Sequence, residues 1–236
     1  MNYLPNTICL YGPAGCGKGT QAMKLLRDYP EYIYIELGEV LRTFVSEHKE
    51  INNDNGKVAS RMHILMEQGS PVDFEDWKHV WNQSVSPLMR EGKKLLIDGI
   101  FREFHQTRFL CNELANNGGT ICLFVLHIPL EEAVVRLRKR FYVPGSRQPY
   151  MSYDEAKVSA GDLEPISRSD DQDPEVIRRR YKKQYELEFG RALSAYQRIT
   201  RGELFIIDGE RIVEDVYSQM HQDLDWVEER EKRLQS

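Results

Sequence analysis

The sequence predicts an α/β fold, a parallel five-stranded sheet with helices on both faces, and three observations lead to it. Five short apolar runs rich in strand formers recur at residues 7–11, 32–35, 95–98, 120–128 and 204–207. Helical periodicity fills the stretches between them, and parallel strands need such crossovers to bring the chain back to the same end of the sheet. The central runs carry no polar alternation, as strands buried on both faces should not. Ligands of such sheets sit at the carboxyl ends of the strands, so the residues just after each run are the first candidates for function.

Taken in order, the run at 7–11 passes into a glycine-rich turn and a helix from about 17 to 28. Between the runs at 32–35 and 95–98 no strand is expected. Helix-like pieces at 40–47, 57–68 and 74–89, each closed by polar residues or glycine, read as a helical insertion spanning 37–92. After the run at 120–128 comes a helix, then a segment at 141–171 with Pro144-Gly145-Ser146, Pro149, Pro165 and many Ser and Asp residues. That segment reads as a long mobile loop or small lid, since loops of this length in compact proteins are usually functional or disordered. A helix restarts with Asp173 as its N-cap and Pro174 at its first position and runs to about 200. The core is therefore expected from residues 1–36, 93–140 and 172–236, and the charged stretch 228–233 as a solvated helix end.

Composition bounds the function. The 236 residues are 41% apolar and 29% charged, enough for a sizeable core and unlike a disordered or collagen-like chain. Thirty-two basic against 37 acidic side chains leave a net charge of −5, which gives no footing for non-specific nucleic-acid binding, so any anionic ligand must meet a local cluster. Cys9, Cys16, Cys111 and Cys122 share no metal-ligand spacing and read as buried free thiols of a reducing compartment. With no apolar stretch near the roughly 18 residues of a membrane span, a cytosolic monomer is the default expectation.

The glycine-rich turn is Gly12-Pro13-Ala14-Gly15-Cys16-Gly17-Lys18-Gly19-Thr20. Its glycines let successive backbone N–H groups approach one anion, the following helix adds the positive end of its dipole, and Lys18 adds a point charge. Together these make a phosphate cradle. The pattern is Walker A up to the lysine, with Gly19 where a hydroxyl residue is usual and the hydroxyl one place later at Thr20. An incidental turn of this composition with strand and helix on the correct sides is improbable. Cys16 fits a tight loop better as a small packing residue than as an activated thiol.

The run Gly17-Lys18-Gly19-Thr20-Gln21 resembles the form this loop takes in adenylate kinases and related nucleoside monophosphate kinases, and the resemblance extends from Ile8 to about Tyr217. Where that family reads roughly Ser-Thr-Gly-Asp-x-Leu-Arg, this chain has Glu36-Leu37-Gly38-Glu39-Val40-Leu41-Arg42. Asp98-Gly99-Ile100-Phe101-Arg102, with Gln106 downstream, is similar to the family's Asp-Gly-Phe-Pro-Arg and its Gln. Arg168-Ser169-Asp170-Asp171 repeats an Arg-x-Asp-Asp pattern followed by a later arginine, aligned with Arg179. Arg136 and Arg140 lie four apart on one helix face.

The resemblance implies a P-loop kinase core and phosphoryl transfer from ATP to AMP, with Mg²⁺ and no structural zinc. It assigns catalysis to Lys18, Arg102, Arg140, Arg168 and Arg179, and ATP binding to Gly12, Gly15, Cys16, Gly17, Lys18, Gly19, Thr20, Arg136, Arg140 and Arg211. It assigns the monophosphate to Leu37, Gly38, Arg42, Ser70, Val72, Gly99, Arg102, Gln106, Arg168 and Arg179, and a water-mediated metal contact to Asp98. Read alone, Arg42 is a surface helix arginine, Asp98 an N-cap and the remaining arginines solvated. Leu37 for a hydroxyl residue keeps a UMP/CMP kinase open as an alternative, and a non-catalytic nucleotide-binding protein is a third. Phe101 stands for the family's proline, Glu39 for its Asp, and the lid segment lacks the cysteine pairs that hold zinc in some relatives.

Overall fold

The protein is described from a computed structural model, which covers residues 4–67, 70–117, 120–145 and 149–234. Strand β1 (Thr7–Tyr11) leads to helix α1 (Lys18–Asp28) and strand β2 (Ile33–Glu36). Four helices follow, α2 (Leu37–His48), α3 (Asp54–Glu67), α4 (Phe74–Ser84) and α5 (Ser86–Arg90). Then come β3 (Leu95–Asp98), α6 (Phe104–Asn116), β4 (Ile121–His127) and α7 (Leu130–Arg138). A short hairpin of β5 (Phe141–Tyr142) and β6 (Pro149–Tyr150) precedes α8 (Tyr153–Ala160), and the chain ends with α9 (Pro174–Tyr181), α10 (Leu187–Thr200), β7 (Glu203–Asp208) and α11 (Val213–Leu234).

The sheet order is β2-β3-β1-β4-β7, all parallel, as the apolar runs predicted. Period-two alternation splits β1 between two cores. Cys9 and Tyr11 pack with Ile97, Leu123, Leu110 and Tyr196 on the α6 and α10 side, whereas Ile8 and Leu10 pack with Phe124, Leu25 and Leu224 beneath α1 and α11. All four cysteines are free and buried in these layers. A separate cluster of Phe44, Val58, Ala59, Met62 and Val80 holds the helices between β2 and β3 together. Register brings Leu10 of β1 and Glu36 of β2 level with Asp98 of β3, so the carboxyl ends of three strands open at one place.

Three expectations change. The piece expected at 74–89 is two helices, broken at Val85 just before Pro87, a residue without the N–H that an interior helical position needs. Helix α2 starts at Leu37 rather than near 40. The segment at 141–171, expected as a long mobile loop or small lid, forms the β5–β6 hairpin, a bridge from Tyr142 to Ile166, and α8 capped by the Ser152 hydroxyl, which accepts from the Glu155 N–H at 3.2 Å. Two-residue strands carry too little pattern to be read from sequence. Residues 146–148 lie outside the described residues.

Asp173 caps α9 as expected, accepting the Glu175 N–H at 2.8 Å, but a π turn at Lys182–Glu186 interrupts the long helix. Buried Tyr185 lies in that turn, its hydroxyl 2.7 Å from Nδ1 of His127 at the end of β4.

Gly56, in α3, is wedged against the preceding turn: a Cβ there would lie 1.7 Å from the Ile51 carbonyl oxygen. Gly56→Ala is therefore expected to cost roughly 1–3 kcal/mol and lower Tm by several degrees in thermal melts. An unchanged Tm would show that the α2–α3 corner yields freely.

Candidate active site

The loop after β1 turns back under the end of β4. A Cβ on Gly12 would lie 2.2 Å from the Leu126 carbonyl oxygen, so only glycine fits there. Gly17, at φ +98, starts α1 from the left-handed region, and no side chain caps the first turn, which carries no acid. The N–H groups at the start of α1 thus face the cleft with the dipole's positive end and no competing carboxylate. Around the positions that Cβ atoms on Gly17 and Gly19 would take there is nothing within 4 Å. Lys18 folds back over the loop, donating from Nζ to the carbonyls of Gly12 and Pro13 at 2.9 Å each, with Cys16 Sγ at 3.5 Å. Cys16 itself is 1% exposed, and burial pushes its thiol above the usual range despite the neighbouring lysine. It is a packing residue, as its loop position suggested.

Asp98 closes β3 beneath Lys18. Its Oδ2 accepts from the Tyr34 hydroxyl at 3.3 Å, whereas Oδ1 is buried with no hydrogen-bond partner. Desolvation raises the Asp98 pKa above the ordinary carboxylate value, with the Lys18 charge the main opposing influence. Four residues on, Arg102 is presented by a tight turn. Phe101 adopts φ +60 and is fully buried, edge-on to Tyr11 and Tyr196 at 5.7 and 6.2 Å between ring centres. A Cβ on Gly99 would stand 3.2 Å from Arg102 Nη2. The guanidinium of Arg102 has no hydrogen-bond or ion-pair partner among the described residues. Its surface opens to the cleft, yet protein crowds it on every other side, and this desolvation lowers its pKa while Glu36 and Asp98 oppose the shift.

Arg140, Arg180, Arg136 and Arg42 are held by acids. Fully buried Asp171 accepts from Arg140 Nε and Nη2 at 3.1 and 2.5 Å, and its other oxygen lies 3.4 Å from Arg180 Nη1, which also reaches Asp170 at 2.7 Å. The Tyr142 ring lies within reach of two guanidinium groups, Arg168 at 4.6 Å and Arg140 at 5.3 Å from its centre. Arg136 donates to Glu132 at 2.6 Å and to the Gly209 carbonyl at 2.8 Å. Arg42 pairs with Glu36 at 2.9 Å and Glu39 at 3.0 Å. A cleft of about 540 Å³ joins these elements, running from the loop and Lys18 past Asp98 to Arg102, Arg136, Arg140, Arg168 and Arg180.

Arg179, expected at the site, is exposed and lines neither this cleft nor the small cavity behind Gly12, whereas Arg180 faces the cleft. Ile177 marks the buried face of α9, and a helix repeats every three to four residues, so 180 and 181 share that face and 179 does not. Tyr181 confirms the phase by donating to the Ile128 carbonyl at 2.8 Å. Buried Ile177 was the signal that could have found this. Tyr34, Glu36 and Tyr142 also line the cleft and were not singled out from sequence, as does Glu39, noted there only as standing for the family's Asp.

Several expected residues lie off the cleft lining. Leu37 and Gln106 are buried, Val72 packs against the α2–α4 cluster, and the Ser70 N–H bonds the Leu65 carbonyl. Arg211 is exposed near Asp215. Gly38 sits tight against the pair formed by Glu36 and Arg42. No helix among the described residues is long and apolar enough to cross a membrane.

A glycine cradle at the end of β1, an acid at the end of β3 and arginines converging from later helices define a P-loop phosphotransferase. A family model described as an AAA domain matches residues 11–157. The chain is 29% identical to adenylate kinase of Petrotoga mobilis over 219 residues, covering 90% of this chain and 94% of the relative. It is 26% identical to adenylate kinase of Thermococcus gammatolerans over 237 residues, covering 96% and 97%. It is also 26% identical to a mitochondrial GTP:AMP phosphotransferase of Saccharomyces cerevisiae over 190 residues, covering 77% and 82%. The chain belongs to this AAA-domain family, and its similarity over most of its length places it in the adenylate kinase family of nucleoside monophosphate kinases.

Because the folded protein raises the pKa of Asp98, its ionised form opposes folding. That opposition is absent below the unfolded carboxylate's pKa of about 4 and grows as pH rises through the folded value. Asp98→Asn should therefore melt at a higher temperature than wild type at pH 7, with the difference shrinking toward pH 4. A lower Tm at pH 7 would mean that Lys18 more than compensates the buried charge.

Proposed function

We propose that the protein transfers the γ-phosphoryl group of ATP to AMP, giving two ADP, in an Mg²⁺-dependent reaction. The observation that carries this is the run of cations along one cleft, from the loop lysine to arginines contributed by the β3 turn, the α7 end and α9. An acceptor phosphate oxygen forms a bond to Pγ as the bond from Pγ to the β-phosphate oxygen breaks, and the electron pair leaves with ADP. The protein does little covalent work, so positioning and positive charge around the transferring group supply the catalysis.

The donor's phosphates lie in the loop at the start of α1. Lys18 exchanges the Gly12 and Pro13 carbonyls for phosphate oxygens, and Arg136, Arg140 and Arg168 approach from the other wall. Arg102, without a partner of its own, takes the acceptor phosphate together with Arg42. Arg180 lines both the main cleft and the small cavity behind Gly12 and Arg102, which supports a role at the transferring group between them. Asp98, whose buried Oδ1 lacks a partner, and the Thr20 hydroxyl suit a hydrated Mg²⁺, a hard cation that favours oxygen ligands and retains waters. When bound, that ion neutralises charge on the donor's phosphates. The β5–β6 hairpin and α8 act as the lid that keeps water from the γ-phosphoryl group.

Burial of Leu37 beside Gly99 favours a second reading, an acceptor whose base is not read by a hydroxyl at that position. A coupled assay with ATP, Mg²⁺ and AMP, CMP, UMP or GMP separates the two, with AMP expected to give the highest kcat/KM. Lys18→Ala should abolish most turnover, and Arg102→Ala should raise KM for the acceptor far more than for ATP. Equal effects on both substrates would move Arg102 to the wrong pocket.

The α9 phase gives a sharper test. Arg180→Ala is expected to lower kcat by about 10³-fold or more, the usual scale for an arginine at a transferring phosphoryl group. Arg179→Ala should stay within about twofold of wild type, as an exposed side chain should. The reverse ranking would restore Arg179.

A further inference from the structure

Glu36 lines the cleft and holds Arg42 from the strand side. It ends β2, level with Asp98, and its side chain is 23% exposed. Arg42 donates from Nη2 to Glu36 Oε2 at 2.9 Å, and from Nε and Nη2 to Glu39 Oε2 at 3.2 and 3.0 Å. Both N–H groups of Nη2 are thereby engaged. A guanidinium grips a phosphate in a fork through two adjacent nitrogens, and each of its two edges uses an N–H of Nη2 when the second edge is that shared with Nη1 or Nε. Glu39 occupies the Nε–Nη2 edge, and Glu36 occupies half of the Nη1–Nη2 edge. Arg42 therefore offers no complete fork until one carboxylate leaves.

Charge makes the same point. Glu36 and Glu39 set two negative charges against Arg42, before any phosphate arrives. Glu36 is also the largest charge acting on Arg102. An incoming phosphate monoester is repelled by Glu36 unless it takes that carboxylate's place on Arg42.

We propose that Glu36 is an internal competitor for the acceptor's phosphate: it occupies the Nη1–Nη2 edge of Arg42, and the acceptor binds by displacing it. Glu36 thus sets the affinity for the monophosphate acceptor without touching the donor. The proposal rests on the acceptor reading given above for Arg42 and Arg102.

The test measures wild type first, in the coupled assay with each monophosphate and by calorimetric titration of the preferred monophosphate in the absence of ATP. If wild type phosphorylates none of them, the proposed function fails and Glu36 is not at issue. With an active wild type, Glu36→Gln, which keeps size and removes charge, should lower the acceptor's KM and its calorimetric Kd together by about three- to tenfold. KM for ATP should remain within about twofold. Glu36→Ser, a smaller side chain, should behave in the same way and serves if the glutamine variant does not fold. An acceptor KM that is unchanged or higher in a folded variant overturns the proposal, because Glu36 would then be positioning Arg42 rather than competing for it. A parallel fall in both substrates' KM overturns it as well.

Discussion

Cations that wait for an anion repel one another, and that constraint shapes the whole cleft. Lys18, Arg102, Arg136, Arg140, Arg168 and Arg180 converge on about 540 Å³ in a protein whose net charge is −5. Each must be kept charged, aimed and separated while no phosphate is present. For Lys18, Arg136, Arg140 and Arg180 the chain does this with hydrogen-bonded partners of its own. Lys18 rests on two carbonyls, Arg140 and Arg180 share Asp171, Arg136 rests on Glu132 and Gly209, and Arg42 on Glu36 and Glu39. Surface ion pairs of this kind contribute little to stability, about 0–1 kcal/mol each, which makes them suitable partners to surrender to a phosphate. Asp171 differs, being fully buried, and acts as a fixed bracket between two guanidinium groups.

The sheet supplies the rigid side of this arrangement. Parallel pairing brings the ends of β1, β2 and β3 level, so Glu36 and Asp98 meet beside the glycine loop. The strained element is the turn after β3, where Phe101 holds a left-handed backbone conformation, and its ring is locked against Tyr11 and Tyr196. Burial of a large aromatic ring offsets the roughly 1 kcal/mol or more that such a backbone costs, and it leaves Arg102 bare and aimed into the cleft. The other wall is built from the short hairpin, α7 and α9.

Much of this was legible in the sequence because the physics is local. A phosphate loop needs its glycines and lysine consecutive, and buried parallel strands need continuous apolar runs, so β1 to β4 and β7 could be read directly. What escaped was set by helix phase or by partners distant in the chain. Spacing from Arg168 picked Arg179, but the face of α9 is fixed by Ile177 and Tyr181 packing beneath α7 and β4, and a π turn immediately follows. The hairpin of β5 and β6 escaped because two residues per strand show no period. Glu36 and Glu39 escaped because an acid in a cation-lined pocket looks misplaced until Arg42 is seen to lie between them.

The central claim is that these cations exchange their resting partners for one chain of phosphates. A crystal structure with two adenosines joined through five phosphates tests it most directly. The account expects Lys18 Nζ to have left the Gly12 and Pro13 carbonyls for phosphate oxygens, with Arg102, Arg140, Arg168 and Arg180 within hydrogen-bond distance of the bridging groups. Guanidinium groups still on their acids, with the phosphates bound elsewhere or disordered, would contradict it.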